Sequence, residues 1–299
     1  MSRNLPRGLV QSIFFAFRPK TLTAGLIPCL AGSALAYHNE KLFDGFVLLN
    51  AILASVFIQI GTNLVNDAVD FKKGADSDSR LGPWRITQSG VLSAQTVMLL
   101  AGLCFVVALA CGVPLALRGG LPVILIGLIS ILLGFSYTAG PLPLAYLGLG
   151  DLFVILFFGL VAVNGMYFLQ TLSWSMTGVV LGLQIGLHAA VLIAINNLRD
   201  IQGDRLVNKK TLAVRLGVTA IRYEIACLSL GPFLLGFYWW VNGSREVALF
   251  SLLSLPLALL IVKNIFQNEP SPLYNRFLGQ SAALHLGFGT LVSLGLWIF

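Results

Sequence analysis

Two polar clusters interrupt a 299-residue chain in which only 10% of residues are charged. The first holds Asn63, Asn66, Asp67 and Asp70, with Asp76 and Asp78 just beyond; the second holds Asn196, Asn197, Arg199, Asp200 and Asp204. Six of the twelve acids fall in these two neighbourhoods. Side chains three and four apart share one face of a helix, so Asn63, Asn66, Asp67 and Asp70 form a single stripe, which Gln59 extends by one turn. Asn196, Asp200 and Asp204 repeat at four-residue spacing in the same way. Each stripe sits where a long apolar run ends. Carboxylates so close to lipid are costly unless they bind something cationic. Hard divalent cations choose oxygen ligands, Mg²⁺ typically taking one or two carboxylates plus the phosphates of a substrate. The spacing therefore points to Mg²⁺ on Asp67, Asp70, Asp200 and Asp204, with a diphosphate bound through it.

Cations complete the other half of that chemistry. Lys72, Lys73, Arg80 and Arg85 follow the first cluster, and Arg205, Lys209, Lys210 and Arg215 follow Arg199 in the second. Arg grips phosphate oxygens in pairs, whereas Lys acts as a point charge. Taken singly, each basic residue is explained as well by membrane topology as by ligand binding. The acids are not, because idle loop acids would not align with intramembrane Asn and Gln on two separate helices.

The elements that must position these residues are membrane spans. Hydrophobic residues make up 57% of the chain, mean hydropathy is +0.87, and about 20 apolar residues cross the hydrocarbon layer. The pattern predicts an all-α integral membrane bundle of nine helices, near 21–37, 44–66, 92–115, 120–138, 149–171, 175–198, 219–241, 246–263 and 277–298. The polar stretches 67–91 and 199–218 read as loops, so one membrane domain covers residues 1–299. The start has no short apolar core ahead of a cleavage site; Phe14, Phe15 and Phe17 fit an interfacial helix instead. Cys29, Cys104, Cys111 and Cys227 lie in the spans at unrelated spacings and read as small packing residues. Of the nineteen Lys and Arg, only Lys41, Arg118 and Arg245 fall opposite the rest. The positive-inside rule then puts the N-terminus and both clusters at the cytoplasmic face. The +7 net charge reflects topology and anion binding, and with no soluble basic surface no nucleic-acid partner is expected.

Several stretches resemble the UbiA superfamily of intramembrane aromatic prenyltransferases. They are 18–22, 59–70, Lys72-Lys73-Gly74, Arg80-Leu81-Gly82-Pro83 up to Gln88-Ser89-Gly90, Tyr137-Thr138 with Gly140-Pro141, Gly148 to Asp151, and 196–217. The Lys72-Lys73-Gly74 and Arg80-Leu81-Gly82-Pro83 runs are similar to those of its bacterial 1,4-dihydroxy-2-naphthoate polyprenyltransferase branch, which serves menaquinone synthesis. The resemblance implies a Mg²⁺-dependent enzyme of the bacterial cytoplasmic membrane. It would transfer a polyprenyl group from polyprenyl diphosphate to 1,4-dihydroxy-2-naphthoate, releasing diphosphate and CO₂. Asp67, Asp70, Asp200 and Asp204 would be catalytic; Asn63, Asn66, Lys72, Lys73, Arg80, Asn196, Asn197, Arg199, Lys209 and Lys210 would hold substrate. Arg18 and Lys20 would hold the acceptor carboxylate or the diphosphate, and Tyr137 would face the allylic cation. The superfamily often has a third acid where Gly74 stands, so Asp76 or Asp78 is expected to complete the metal site; Ser79 replaces an acid common in the branch.

Other polar residues have plainer readings. Asp151 reads as a helix cap, and Gln184 with His188 as an inward pair, able to bond the acceptor diol or a neighbouring helix. Two rival functions share features with this pattern. The same site could take another acceptor such as 4-hydroxybenzoate. A cation-coupled transporter would also need intramembrane acids, but near the bilayer midplane, not at helix ends followed by basic loops.

Overall fold

A computed structural model describes residues 9–74, 81–82, 85–139 and 144–299. Asp76, Asp78, Ser79 and Arg80 lie outside the described residues, as do residues 140–143, with Gly140 and Pro141. The described elements are all helical. Helix α1 (Leu9–Ala16) precedes a 3-10 turn at Pro19–Thr21, followed by α2 (Thr23–Glu40), α3 (Gly45–Lys72) and α4 (Ala94–Ser136). Short α5 (Leu144–Leu147) and α6 (Gly150–Val154) lead through a π-helical stretch at Ile155–Val161 into α7 (Ala162–Thr171). Then come α8 (Met176–Arg199), α9 (Ile201–Leu206), α10 (Leu212–Leu235), α11 (Phe237–Val241), α12 (Arg245–Leu252), α13 (Leu255–Gln267) and α14 (Tyr274–Ile298). Starts are set by side-chain caps: Asp44 accepts from the N–H groups of Phe46 and Val47, Ser93 from Thr96, Ser175 from Gly178 and Thr211 from Val214.

Length and apolarity alone support six membrane crossings among the described residues, or seven if α12 and α13, bent by 43°, form one span. The nine expected spans exceed that number for a geometric reason. Helix α4 is 43 residues long, which at about 1.5 Å per residue is roughly twice the hydrocarbon thickness. Gly120 breaks it with φ 64° and ψ −150°, a conformation open to glycine alone. Phe105 before the break meets Gly61, and Gly134 after it meets Thr62. The two halves of α4 therefore fold back along the same level of α3. The break falls where the hydropathy pattern places the turn between the third and fourth spans. Helix α2, at 18 residues, is also shorter than the other spans.

The core lies between α2, α8, α10 and α14, built from residues such as Ile185, Ile195, Ile225, Leu284 and Phe288. Outward surfaces are apolar as well: Leu99, Leu103, Val106, Leu117 and Leu132 of α4 are exposed, as a lipid-facing wall requires. Polar groups at mid-span pair between helices. Gln184 Nε2 donates to Pro232 O at 2.7 Å, Trp239 Nε1 donates to Gln184 Oε1 at 2.9 Å, and His188 Nε2 lies 3.1 Å from Ser229 O. His188 also packs against the rings of Phe233 and Phe288. This is the interhelical alternative for the pair, which lies on α8 ahead of the second stripe but bonds Pro232, Trp239 and Ser229 and no acid.

Candidate active site

Helix α3 ends in the first stripe, where each polar residue meets a different partner. Asn63 Nδ2 donates to Phe17 O at 3.0 Å and to Thr21 Oγ1 at 3.1 Å, and Gln59 Nε2 donates to Asn63 Oδ1 at 3.4 Å. These bonds tie α3 to the segment that carries Arg18 and Lys20. The buried Asp67 carboxylate accepts the backbone N–H of Ile86 at 3.3 Å and of Thr87 at 3.1 Å, shaping the 85–90 turn. Arg85, at the head of that turn, reaches back to Asp70 at 3.4 Å in a buried ion pair. The Tyr146 hydroxyl lies 3.4 Å from the other Asp70 oxygen. Asn66 is half-buried and Lys72 exposed. Lys73 donates to Thr138 O at 2.8 Å, with its ammonium 4.6 Å from the centre of the Tyr146 ring.

Helix α8 closes on the second stripe. The Arg199 side chain is fully buried and grips both Asp200 oxygens through Nε and Nη2. It donates further to Asn196 Oδ1 and, through Nη1, to Asn275 Oδ1, both at 2.8 Å. Asn197 is buried beside it. On α9, the buried Asp204 has one oxygen 3.5 Å from Lys209 Nζ; its other oxygen, Oδ2, is buried without a hydrogen-bond partner among the described residues. Burial pushes the Asp204 carboxyl up to about 6; Lys209 pulls against that, and the Asp200 and Asp70 charges add to it.

Two residues join the stripes. The Tyr146 ring lies below Lys73 of the first and 5.7 Å from Lys209 of the second, and its carbonyl accepts the N–H of Lys210 at 3.1 Å. Asn275 bonds Arg199 on one side and donates to Leu81 O at 2.9 Å on the other. Lys20 Nζ donates to the Asn275 carbonyl at 3.2 Å. Arg18, held at φ 53° and ψ 67°, lies close enough for its charge, with those of Asp151, Asp70 and Asp204, to act on the Tyr137 phenol. Gly148 lets α5 press on the second loop: a Cβ there would come within 2.8 Å of Lys210 O, and φ is +71°. Asp151 sits in the first turn of α6 but makes no capping bond, the N-cap position being Leu149.

Tyr146 and Asn275 escape a reading of residue types because both are neutral and follow no spacing. Arg85 is visible only as one basic loop residue among several. Leu147 and Gly148 aside, nothing near Tyr146 marks it, and α14 reads as an ordinary membrane helix until its first turn is seen against Arg199.

Behind Tyr137 an apolar cavity of about 390 Å³ opens, with Ile58, Phe157, Leu115 and Met166 among its walls. It follows α3 from Thr62 to Ala51, away from the acids, over roughly 16 Å at about 1.5 Å per residue. Charged cluster and cavity thus meet at one tyrosine.

The donor set fits a hard cation. It is built of carboxylate oxygens, and Asp204 offers a buried oxygen that no group among the described residues satisfies. Among the described residues no three His, Cys, Asp or Glu converge into a closed metal cage.

The profile of the UbiA prenyltransferase family matches residues 25–286. The chain belongs to this family. It is 34% identical to the 1,4-dihydroxy-2-naphthoate octaprenyltransferase of Haemophilus influenzae, over 94% of each chain. It is 39% identical to the enzyme of that name from Escherichia coli over 74% of this chain and 73% of the relative, and 32% identical to that of Bacillus subtilis over 96% and 93%. A UbiA homolog from Archaeoglobus fulgidus bound to DMAPP and Mg²⁺ superposes with a TM-score of 0.65 at 17% identity, covering 95% of this chain and 99% of the other. These UbiA relatives and the apolar helices together make the chain an integral membrane protein.

Proposed function

We propose that this UbiA family member transfers a polyprenyl group from its diphosphate to 1,4-dihydroxy-2-naphthoate, releasing diphosphate and CO₂ and giving demethylmenaquinol for menaquinone synthesis. One observation carries the reading: a cluster of acids and bases opens at Tyr137 into a long apolar cavity. One end suits a metal-bound diphosphate and the other a polyprenyl tail. The relatives named 1,4-dihydroxy-2-naphthoate octaprenyltransferase support the acceptor. The Archaeoglobus structures bound to DMAPP or GPP with Mg²⁺ support the donor class and the ion. The site faces the cytoplasm from the inner membrane, in keeping with the distribution of Lys and Arg.

Mg²⁺, when bound, offsets the charge of the diphosphate and of the leaving group. Asp70, Asp200 and Asp204 would hold it, with Asp76 from the 75–80 segment. Asp67 keeps lone pairs beyond the two that accept Ile86 and Thr87 and joins the same set. In the present form acids and bases pair with each other: Asp70 with Arg85, Asp200 with Arg199, Asp204 with Lys209. On substrate binding the carboxylates would hold the ion, and Arg85, Lys73 and Lys209, together with Arg80, would hold phosphate oxygens. The allylic C–O bond breaks with its electron pair leaving on diphosphate. The acceptor carbon bearing the carboxylate forms the new C–C bond, and loss of CO₂ restores aromaticity. Tyr137 stands at the junction, its ring able to stabilise the allylic cation, while the cavity walls keep water away.

Incubating the purified protein with a polyprenyl diphosphate and a panel of aromatic acceptors tests this. Diphosphate release should require both Mg²⁺ and 1,4-dihydroxy-2-naphthoate, with a prenylated product seen by mass. Release independent of Mg²⁺, or preference for 4-hydroxybenzoate, would contradict the ion or the acceptor respectively.

A further inference from the structure

Asn275 occupies a position that neither acidic cluster explains. It lies in the first turn of α14, far in sequence from both, yet its side chain touches Arg199 of the second cluster and Leu81, which follows the first in sequence. Its Oδ1 accepts from Arg199 Nη1 at 2.8 Å, and its Nδ2 donates to Leu81 O at 2.9 Å and to Pro272 O at 3.0 Å. Its carbonyl takes Lys20 Nζ at 3.2 Å.

The bond to Arg199 matters because, among the described residues, Asn275 is the partner that Nη1 of that guanidinium finds. Its side chain is wholly buried, it cannot shed its charge, and it carries five donors. Asp200 and Asn196 engage Nε and Nη2; Nη1 is left to Asn275. Without that acceptor a buried, charged donor goes unsatisfied, which is costly, and the cheapest relief is for Arg199 to turn. Asp200 is chelated by the same guanidinium and must follow it. The bond to Leu81 acts on the other cluster. Leu81 lies four residues before Arg85, which pairs with Asp70, and shortly before Ile86 and Thr87, whose amides meet Asp67.

We infer that Asn275 is a positioning residue that staples the two acidic clusters into one site. Through Arg199 it sets the aim of Asp200; through Leu81 it fixes the limb that presents Arg85. It needs an acceptor and a donor on one short side chain, which an amide provides. The inference rests on the clusters forming a Mg²⁺–diphosphate site, but half of its test does not need turnover.

Asn275→Asp keeps the acceptor for Arg199 and loses the donor to Leu81; Asn275→Leu loses both. Two quantities are read in detergent: the Mg²⁺ dependence of kcat and KM, and hydrogen exchange of the substrate-free protein. Asn275→Leu should raise the KM for Mg²⁺ about tenfold or more, with a smaller change in kcat. It should also speed exchange at Ile86 and Thr87 while the α8 core stays protected. Asn275→Asp should speed the same amides yet hold the Mg²⁺ KM within about threefold of the parent, a factor below the worth of one charge-assisted bond. Parent-like exchange at Ile86 and Thr87 in both variants would overturn the Leu81 arm. An equal rise in Mg²⁺ KM in both would overturn the Arg199 arm, and should Asn275→Leu not fold, a tenfold rise in Asn275→Asp alone would do the same. If the parent shows no Mg²⁺-dependent turnover, the site reading fails, and exchange still decides whether Asn275 holds the loop.

Discussion

Asp67 and Asp204 are both buried acids at the ends of spans, but their surroundings ask different things of them. Asp67 meets two backbone N–H groups, so its charge is largely compensated within the fold. Asp204 meets Lys209 through one oxygen, while the other is bare. Burial and the nearby Asp200 and Asp70 hold its carboxyl at about 6, above the ordinary carboxylate range. Below that value Asp204 keeps a proton, which must leave before a cation can bind; above it the carboxylate is free. Mg²⁺ affinity should therefore weaken as pH falls through about 6, and Asp204→Asn should remove this dependence. A Mg²⁺ titration on either side of that pH checks it, and equal affinity at both would refute the role. Asp200→Asn and Asp204→Asn should each cost roughly 10³-fold or more in turnover without blocking membrane insertion. Near-normal turnover in both at saturating Mg²⁺ would remove the metal role. The four acids were legible in the sequence because charge is so rare in this chain. Tyr146 and Asn275 were not, since a neutral side chain gains meaning only from what the fold sets beside it.

At the scale of elements, the site depends on how closely α5 and the second loop approach. Gly148 has φ +71° and leaves a would-be Cβ only 2.8 Å from Lys210 O. Gly148→Ala should thus cost about 1–3 kcal/mol in backbone strain and displace Lys209 and Lys210. The expected result is a lower unfolding temperature in detergent together with reduced turnover; parent values for both would show that α5 can move freely. Hydropathy put a turn next to Gly120, because lipid demands about 20 apolar residues per crossing, but it gave nine spans where length and apolarity support six or seven among the described residues. It could not reveal the π-helical stretch at Ile155–Val161, which alters hydrogen bonding without altering apolarity. Nor could it show that α12 and α13 are bent against each other, since residues 246–263 read as one apolar run.

Across the whole molecule, charge is segregated to the two ends of the bundle. The first acidic stripe fills the C-terminal turns of α3, and the second runs from the C-terminal end of α8 into α9. At the opposite end of α3, Arg118 bonds Asp44 at 3.4 Å and the carbonyls of Leu169 and Gln170 at 2.6 and 3.1 Å. In a background without the native cysteines, single cysteines at the exposed positions Lys72 and Lys210 should react with an impermeant reagent only from the cytoplasm, and those at Lys41 and Arg245 only from outside. Labelling of positions 72 and 210 from opposite faces would break the shared site.

The central claim, prenyl transfer to the carboxylate-bearing carbon of 1,4-dihydroxy-2-naphthoate, is tested most directly by following that carboxylate. Carboxyl-labelled acceptor, supplied with polyprenyl diphosphate and Mg²⁺, should release labelled CO₂ one for one with prenylated product, because the attacked carbon must lose its carboxylate to recover aromaticity. A prenylated product that retains the label, or no product from this acceptor while another is turned over, would contradict it.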